Sequence, residues 1–150
     1  MNDGVAVFFD IGDTLASPVV SAGRLARLEA YPFVSDVLKR LRSGAPSVGL
    51  GLISNTGNES AERLAALLAD AGLAELVDAH LCLFSSVEGM DKSQPAFFSL
   101  AVTRAGVPAA RCVFVGEDAD ERDVAASVGL RVSPHPLHAV HLVESEFSSP

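Results

Sequence analysis

Polar residues able to do chemistry cluster at a few points of the chain, each just after an apolar run. Asp10 follows VAVFF (5–9), with Gly12, Asp13 and Thr14 close behind it. Ser54, Asn55 and Thr56 follow VGLGLI (48–53), and Lys92 stands eight residues past HLCLF (80–84), just ahead of Pro95. After CVFVG (112–116) come Glu117, Asp118, Asp120 and Glu121. Gathered in one crevice, these groups form a coherent set. Carboxylates from two strands could hold a hard divalent cation such as Mg²⁺, which prefers oxygen ligands. A hydroxyl, the free N–H groups at a helix start and an ammonium could hold phosphate oxygens. A carboxylate facing a phosphorus held in this way can act as a nucleophile through an aspartyl-phosphate.

Such a gathering requires a fold that brings these chain positions together. The four apolar runs are near-continuous rather than alternating, as strands buried on both faces of a parallel sheet read. Helical patterns lie between them. In PFVSDVLKRLRSG, Val34, Val37, Leu38 and Leu41 have helical spacing, Pro32 suits the first turn, Lys39, Arg40 and Arg42 suit the last, and Gly44 can end it. Thr56 and Glu59 have capping-box spacing and predict a second helix through Leu64, Leu67, Leu68 and Ala71 to Gly72. A third helix runs from Pro95 to Gly106, and a fourth follows GEDADER and ends at Gly129, with RVS (131–133) a short fifth strand. This alternation predicts a doubly wound, Rossmann-like α/β fold, mostly parallel, with helices on both faces. Ligands of such sheets bind outside the carboxyl ends of the strands. The chain of 150 residues, 49% apolar and 20% charged, reads as one domain over 1–150 with a loosely ordered tail from about 134.

The formal charge of −8 argues against nucleic acid or an anionic membrane as partner, since both are bound through Lys and Arg. No apolar run approaches the roughly 18 residues of a membrane span, and MNDGVAVFFD shows neither basic leader nor cleavage site, so the expected location is the cytoplasm. Cys82 and Cys112 sit in apolar runs and read as buried free thiols. His135, His138 and His141 recur every third residue, but Pro134 and Pro136 interrupt the segment and this spacing walks the third around a helix, so no metal is expected there.

Four motifs in order, covering Val5 to about Ser133, resemble those of the haloacid dehalogenase superfamily, Mg²⁺-dependent aspartyl-phosphate phosphohydrolases and their relatives. FFDIGDTL resembles the first, which implies that Asp10 is the nucleophile and Thr14 a supporting hydroxyl. LISNTG resembles the second, implying that Ser54 binds the phosphoryl group with help from the Asn55 amide. DKSQPAFFSLAVTRAGV is similar to the third, with Lys92 as charge stabiliser. FVGEDADERDVAASVGL resembles the fourth, in which acidic residues hold the metal. The resemblance therefore implies a metal set of Asp10, the Gly12 carbonyl, Glu117, Asp118 and Glu121.

Two departures from the pattern stand out. The family's phosphatases carry a general acid and base two residues after the nucleophile, where this chain has Gly12; such catalysis is typically worth about 10² to 10⁴-fold. Asp13, one residue later, starts its side chain in another direction. Glu117 and Glu121 stand where the family usually has Asp, and each reaches about 1.5 Å further. The intervals 14–31 and 54–92 are too short for a cap domain, which predicts an open crevice with few selecting walls. Its substrate could then be a phosphorylated small molecule or macromolecule, or a second subunit of a homo-oligomer could close it. The leading expectation is a phosphoric monoester hydrolase, with turnover slowed by Gly12. The alternative is a weakened relative that binds a phosphorylated ligand or partner. A phosphoacceptor receiver fits less well, because its acceptor Asp follows strand three, where this chain has Ser85 and Ser86.

Overall fold

The computed structural model describes residues 4–44 and 47–147. The elements in chain order are β1 (Val5–Phe9), β2 (Ala16–Ser21), β3 (Arg24–Ala30), α1 (Val34–Arg42), β4 (Val48–Ser54), α2 (Ala61–Asp70), β5 (Cys82–Phe84), α3 (Ser85–Glu88), α4 (Pro95–Ala105), β6 (Cys112–Val115), α5 (Ala119–Val128), β7 (Arg131–Ser133) and α6 (Pro136–Glu146). Five strands form one sheet in the order β5-β4-β1-β6-β7. All of its pairings are parallel, with Phe9 opposite Leu52 on one side and Val115 on the other. The chain crosses from one side of β1 to the other, so β1 sits at the switch point where doubly wound sheets open a crevice. No described helix is long and apolar enough to cross a membrane.

The period of two along each strand divides the core. Val5, Val7 and Phe9 join Leu50, Leu52, Val113 and Val115 on the face covered by α1, α2 and α6. Ala6 and Phe8 join Leu83, Cys112 and Phe114 beneath α4 and α5. Helix α1 buries Val34, Val37, Leu38 and Leu41, the apolar stripe its spacing predicts; each such side chain contributes about 1.5–3 kcal/mol over an exposed one. Burial pushes the thiols of Cys82 and Cys112 up to about 11, which makes them unreactive at neutral pH.

Three sequence expectations are corrected. The second helix begins at Ala61, not at Thr56: the Ser60 hydroxyl accepts from the Arg63 amide as its cap. Thr56 is instead bound to Ser86, their hydroxyl oxygens 2.6 Å apart. The segment from about 134, expected to be loose, holds the eleven-residue helix α6, whose Ala139, Val140, Leu142 and Val143 are buried. Pro136 opens this helix, where its missing N–H costs nothing, and the His135 ring accepts from the Leu137 amide. His138 is committed to the buried Ser133 hydroxyl at 2.8 Å. Finally, the 14–31 interval folds into an antiparallel hairpin, β2 and β3.

The hairpin turn at Ser21–Arg24 places both Ala22 and Gly23 at positive φ, 52° and 75°. Such turns match the twist of the flanking strands and favour Asn or Gly at the first central position. Replacing Ala22 by Gly should therefore stabilise the protein by about 1 kcal/mol, read from the denaturant midpoint. Gly51 is required for close packing: a Cβ there would lie 2.2 Å from the Leu81 carbonyl oxygen and 2.6 Å from its Cβ. Gly51→Ala should cost about 1–3 kcal/mol in the same measurement, since backbone must move to admit the methyl.

Candidate active site

Each parallel strand delivers its first polar side chains to one end of the sheet, and the predicted residues meet there. Among the described residues five polar side chains are buried: Asp10, Thr14, Ser54, Lys92 and Ser133. Four of these are the residues assigned to catalysis from the sequence. Lys92 is only 2% exposed, and its Nζ lies 2.6 Å from Asp10 Oδ1 and 2.9 Å from Glu121 Oε1. Beneath it the Phe114 ring centroid is 5.9 Å away, so the ammonium also rests over an aromatic face. Burying a lysine this deeply is costly unless it is paired, and the two carboxylates supply the pairing.

Position along the chain is held by backbone and side-chain bonds. The Asp10 amide donates to the Val115 carbonyl, extending the β1–β6 ladder to the residue that bears the carboxylate. Ile11 then accepts from the amides of Thr14, Leu15 and Ala16, a turn that buries Thr14 while Asp13, at φ 64°, stays exposed. The Thr14 hydroxyl is buried without a partner. The Asn55 side-chain oxygen accepts from the Lys92 amide at 2.9 Å, tying the loop after β4 to the lysine that answers Asp10. Asn55 is thus a positioning residue for Lys92 as well as an expected phosphate contact. Ser54 ends β4 and is buried beside it.

The acidic run after β6 divides. Asp118 caps α5, accepting from the Glu121 amide at 3.0 Å. Glu117 is exposed, and Glu121 turns inward to Lys92. Burial pushes the Glu121 carboxyl above the usual range, with Asp10 and Asp118 adding repulsion and Lys92 opposing both. Among the described residues no three His, Cys, Asp or Glu side chains are gathered to hold a metal by themselves. Mg²⁺, however, is commonly held by only one or two carboxylates, keeping water and substrate phosphate in the remaining positions. Asp10, the Gly12 carbonyl and Glu117 or Asp118 are all hard oxygen donors near adjacent strand ends, so this donor set suits that cation.

The hairpin supplies a wall that the sequence reading lacked. Between it and α2 lies a cavity of about 410 Å³ that reaches Gly12, Ser54 and Asn55. Arg24 and Glu59 join across its rim by two hydrogen bonds of 3.1 and 3.2 Å. Arg63 adds an ion pair to Glu59 and donates to the Leu25 carbonyl, clamping β3 to α2. The sequence signal for this hairpin is slight, because Ala-Gly is a weak turn pair and Pro18 interrupts β2.

A family model described as haloacid dehalogenase-like hydrolase matches residues 19–129, more than half of the chain. The protein belongs to this family of hydrolases; the matched segment begins after the Asp10 motif. No curated protein sequence matches the chain. Among solved structures, a dehalogenase with an intermediate complex is 26% identical over 71% of this chain, with TM-score 0.61. The chain spans only 44% of that dehalogenase's length. L-2-haloacid dehalogenase from Xanthobacter autotrophicus is 19% identical over 85% of this chain and 75% of its own, with TM-score 0.65. A HAD-superfamily hydrolase of subfamily IA from Geobacter sulfurreducens is 14% identical over 92% and 98%, with TM-score 0.68. These last two likenesses are of fold.

The Asp10–Lys92 pair sets a stability test. Lys92→Met, which leaves a buried carboxylate unpaired, should cost about 3–5 kcal/mol. Adding Asp10→Asn should return part of that loss, and chemical denaturation of the single and double variants measures both.

Proposed function

We propose that the protein is a Mg²⁺-dependent phosphoric monoester hydrolase that works through an aspartyl-phosphate on Asp10. The observation that carries this reading is the burial of Asp10, Thr14, Ser54 and Lys92 together at the strand ends, with Lys92 2.6 Å from Asp10. Isolated polar groups are rarely buried without a task, and this set has the chemistry of phosphoryl transfer.

The Asp10 carboxylate attacks phosphorus while Lys92 offsets charge on the incoming anion. Ser54 and the Asn55 amide hold phosphoryl oxygens, and Thr14 supports the turn that presents Asp10. Glu121 orients Lys92. Asp10, the Gly12 carbonyl and Glu117 or Asp118 would hold Mg²⁺, which would supply neutralisation of phosphoryl charge when bound. Water then cleaves the aspartyl-phosphate and releases inorganic phosphate. A phosphorylated ligand bound without efficient turnover is the second reading, favoured by Gly12, which offers no proton at the position where the phosphatases of the family carry an Asp.

Wild type should release phosphate from a generic aryl phosphate in a Mg²⁺-dependent manner, and Asp10→Asn should abolish it. Gly12 has room for a longer side chain, since a Cβ there meets nothing nearer than Pro18 Cγ at 3.9 Å. Gly12→Asp should raise the rate about 10² to 10⁴-fold. Activity present only in that variant would favour the binding reading, and halide release from a 2-haloacid in place of phosphate release would overturn the proposal.

A further inference from the structure

The cavity beneath the hairpin is built by an irregularity in the sheet. Val19 pairs with Arg27 and Val20 with Leu25, so Ala26 is an extra residue on β3, a β-bulge. Leu25 and Leu28 are three apart and would point to opposite faces of a regular strand. With Ala26 bulged out they share a face, and both line the cavity together with Pro18, which lies opposite Leu28. From α2, Leu64 and Leu68, one turn apart, close the far side. The result is a chamber with an apolar wall of leucines, Arg24 and Glu59 at its rim, and an end that reaches Ser54 and Asn55, the groups expected to hold a phosphate. Its volume of about 410 Å³ suits a ring-sized group.

A second observation bears on what occupies it. Gly12 carries no acid, and Asp13 at φ 64° is exposed on the outside of the turn. A leaving group that must depart without an adjacent proton donor has to be stable as an anion. Phenols ionise near pH 10, whereas aliphatic alkoxides are far more basic.

Resting on the phosphohydrolase reading above, we infer that the substrate is an aryl phosphate monoester, its ring seated between the β2–β3 hairpin and α2 against Leu25, Leu28, Leu64 and Leu68. An Asp10 oxygen forms the new bond to phosphorus as the P–O(aryl) bond breaks. The electron pair leaves on the phenolate oxygen, which takes its proton from water. A second water then attacks the aspartyl-phosphate, giving inorganic phosphate and restoring Asp10.

The test compares binding of phenylphosphonate and methylphosphonate, which cannot be hydrolysed at phosphorus, by calorimetry with the full chain and Mg²⁺. Wild type should bind the phenyl compound at least about tenfold more tightly. Leu25 is half-buried, so Leu25→Asn and Leu25→Trp should both fold; the first removes apolar wall, the second fills the chamber, and each should collapse that ratio toward one. Equal binding of the two phosphonates by wild type, or an undiminished ratio in both variants, overturns the inference. Turnover separates the leaving-group part: phenyl phosphate should be cleaved at least about 100-fold faster than benzyl phosphate, and equal rates overturn the phenolic assignment. If phenylphosphonate is preferred but no aryl phosphate is cleaved, the chamber stands and the hydrolase reading fails. If neither phosphonate binds, both fall.

Discussion

The ammonium of Lys92 set between Asp10 and Glu121 is the constraint around which the rest is arranged. An ammonium buried to this depth is stable only while both carboxylates stay within reach, and they come from different strand ends. Their separation depends on the register of β1 against β6, which the Asp10 amide extends by one further bond to Val115. The lysine comes from the loop before α4 and is held by Asn55 from the loop after β4. Four crossovers therefore converge on one small ionic group. Partial unfolding of any of them would leave a charge in an apolar setting, which links integrity of the site to integrity of the sheet.

The sheet could be read from the sequence because its strands are covered on both faces. Continuous runs such as VAVFF carry no alternation to mislead, and the first polar residue after each marks the crevice. The helix ends were legible where glycine stops them, at Gly106 and Gly129, both at positive φ. Thr56 shows the limit of local spacing: the capping-box pattern was present, but Ser85 and Ser86 offered its hydroxyl and amide tertiary partners. Helix α6 was missed for a related reason. The two prolines and three histidines of the segment 134–141 look irregular, yet Pro136 stands at the helix start, and His135 and His138 spend their rings on capping and on Ser133.

The hairpin was illegible because it has little intrinsic strand character. Most of β2 and β3 is exposed, with charged residues and a proline along them. What holds them is their pairing with one another and the Arg24–Glu59–Arg63 clamp on α2. Exposed ion pairs of this kind contribute little singly, so the clamp acts mainly to set where the hairpin lies. A cap domain is absent from the 14–31 interval, yet the crevice is less bare than that absence implied, since a hairpin of fifteen residues or so walls one side.

The bulge at Ala26 gives the hairpin a reading frame. Because side chains alternate with a period of two, one residue inserted between Leu25 and Leu28 in addition to the bulge would turn Leu25 outward, whereas deleting Ala26 would leave the two leucines two apart on one face of a regular strand. Two such insertions would restore the original facing. Substitutions within the hairpin can vary the cavity gradually, but a single-residue insertion inverts it at once, while the ionic centre in the sheet is untouched. Variation in length at this one place would therefore sort relatives of this protein into discrete kinds of chamber built on a common ionic floor.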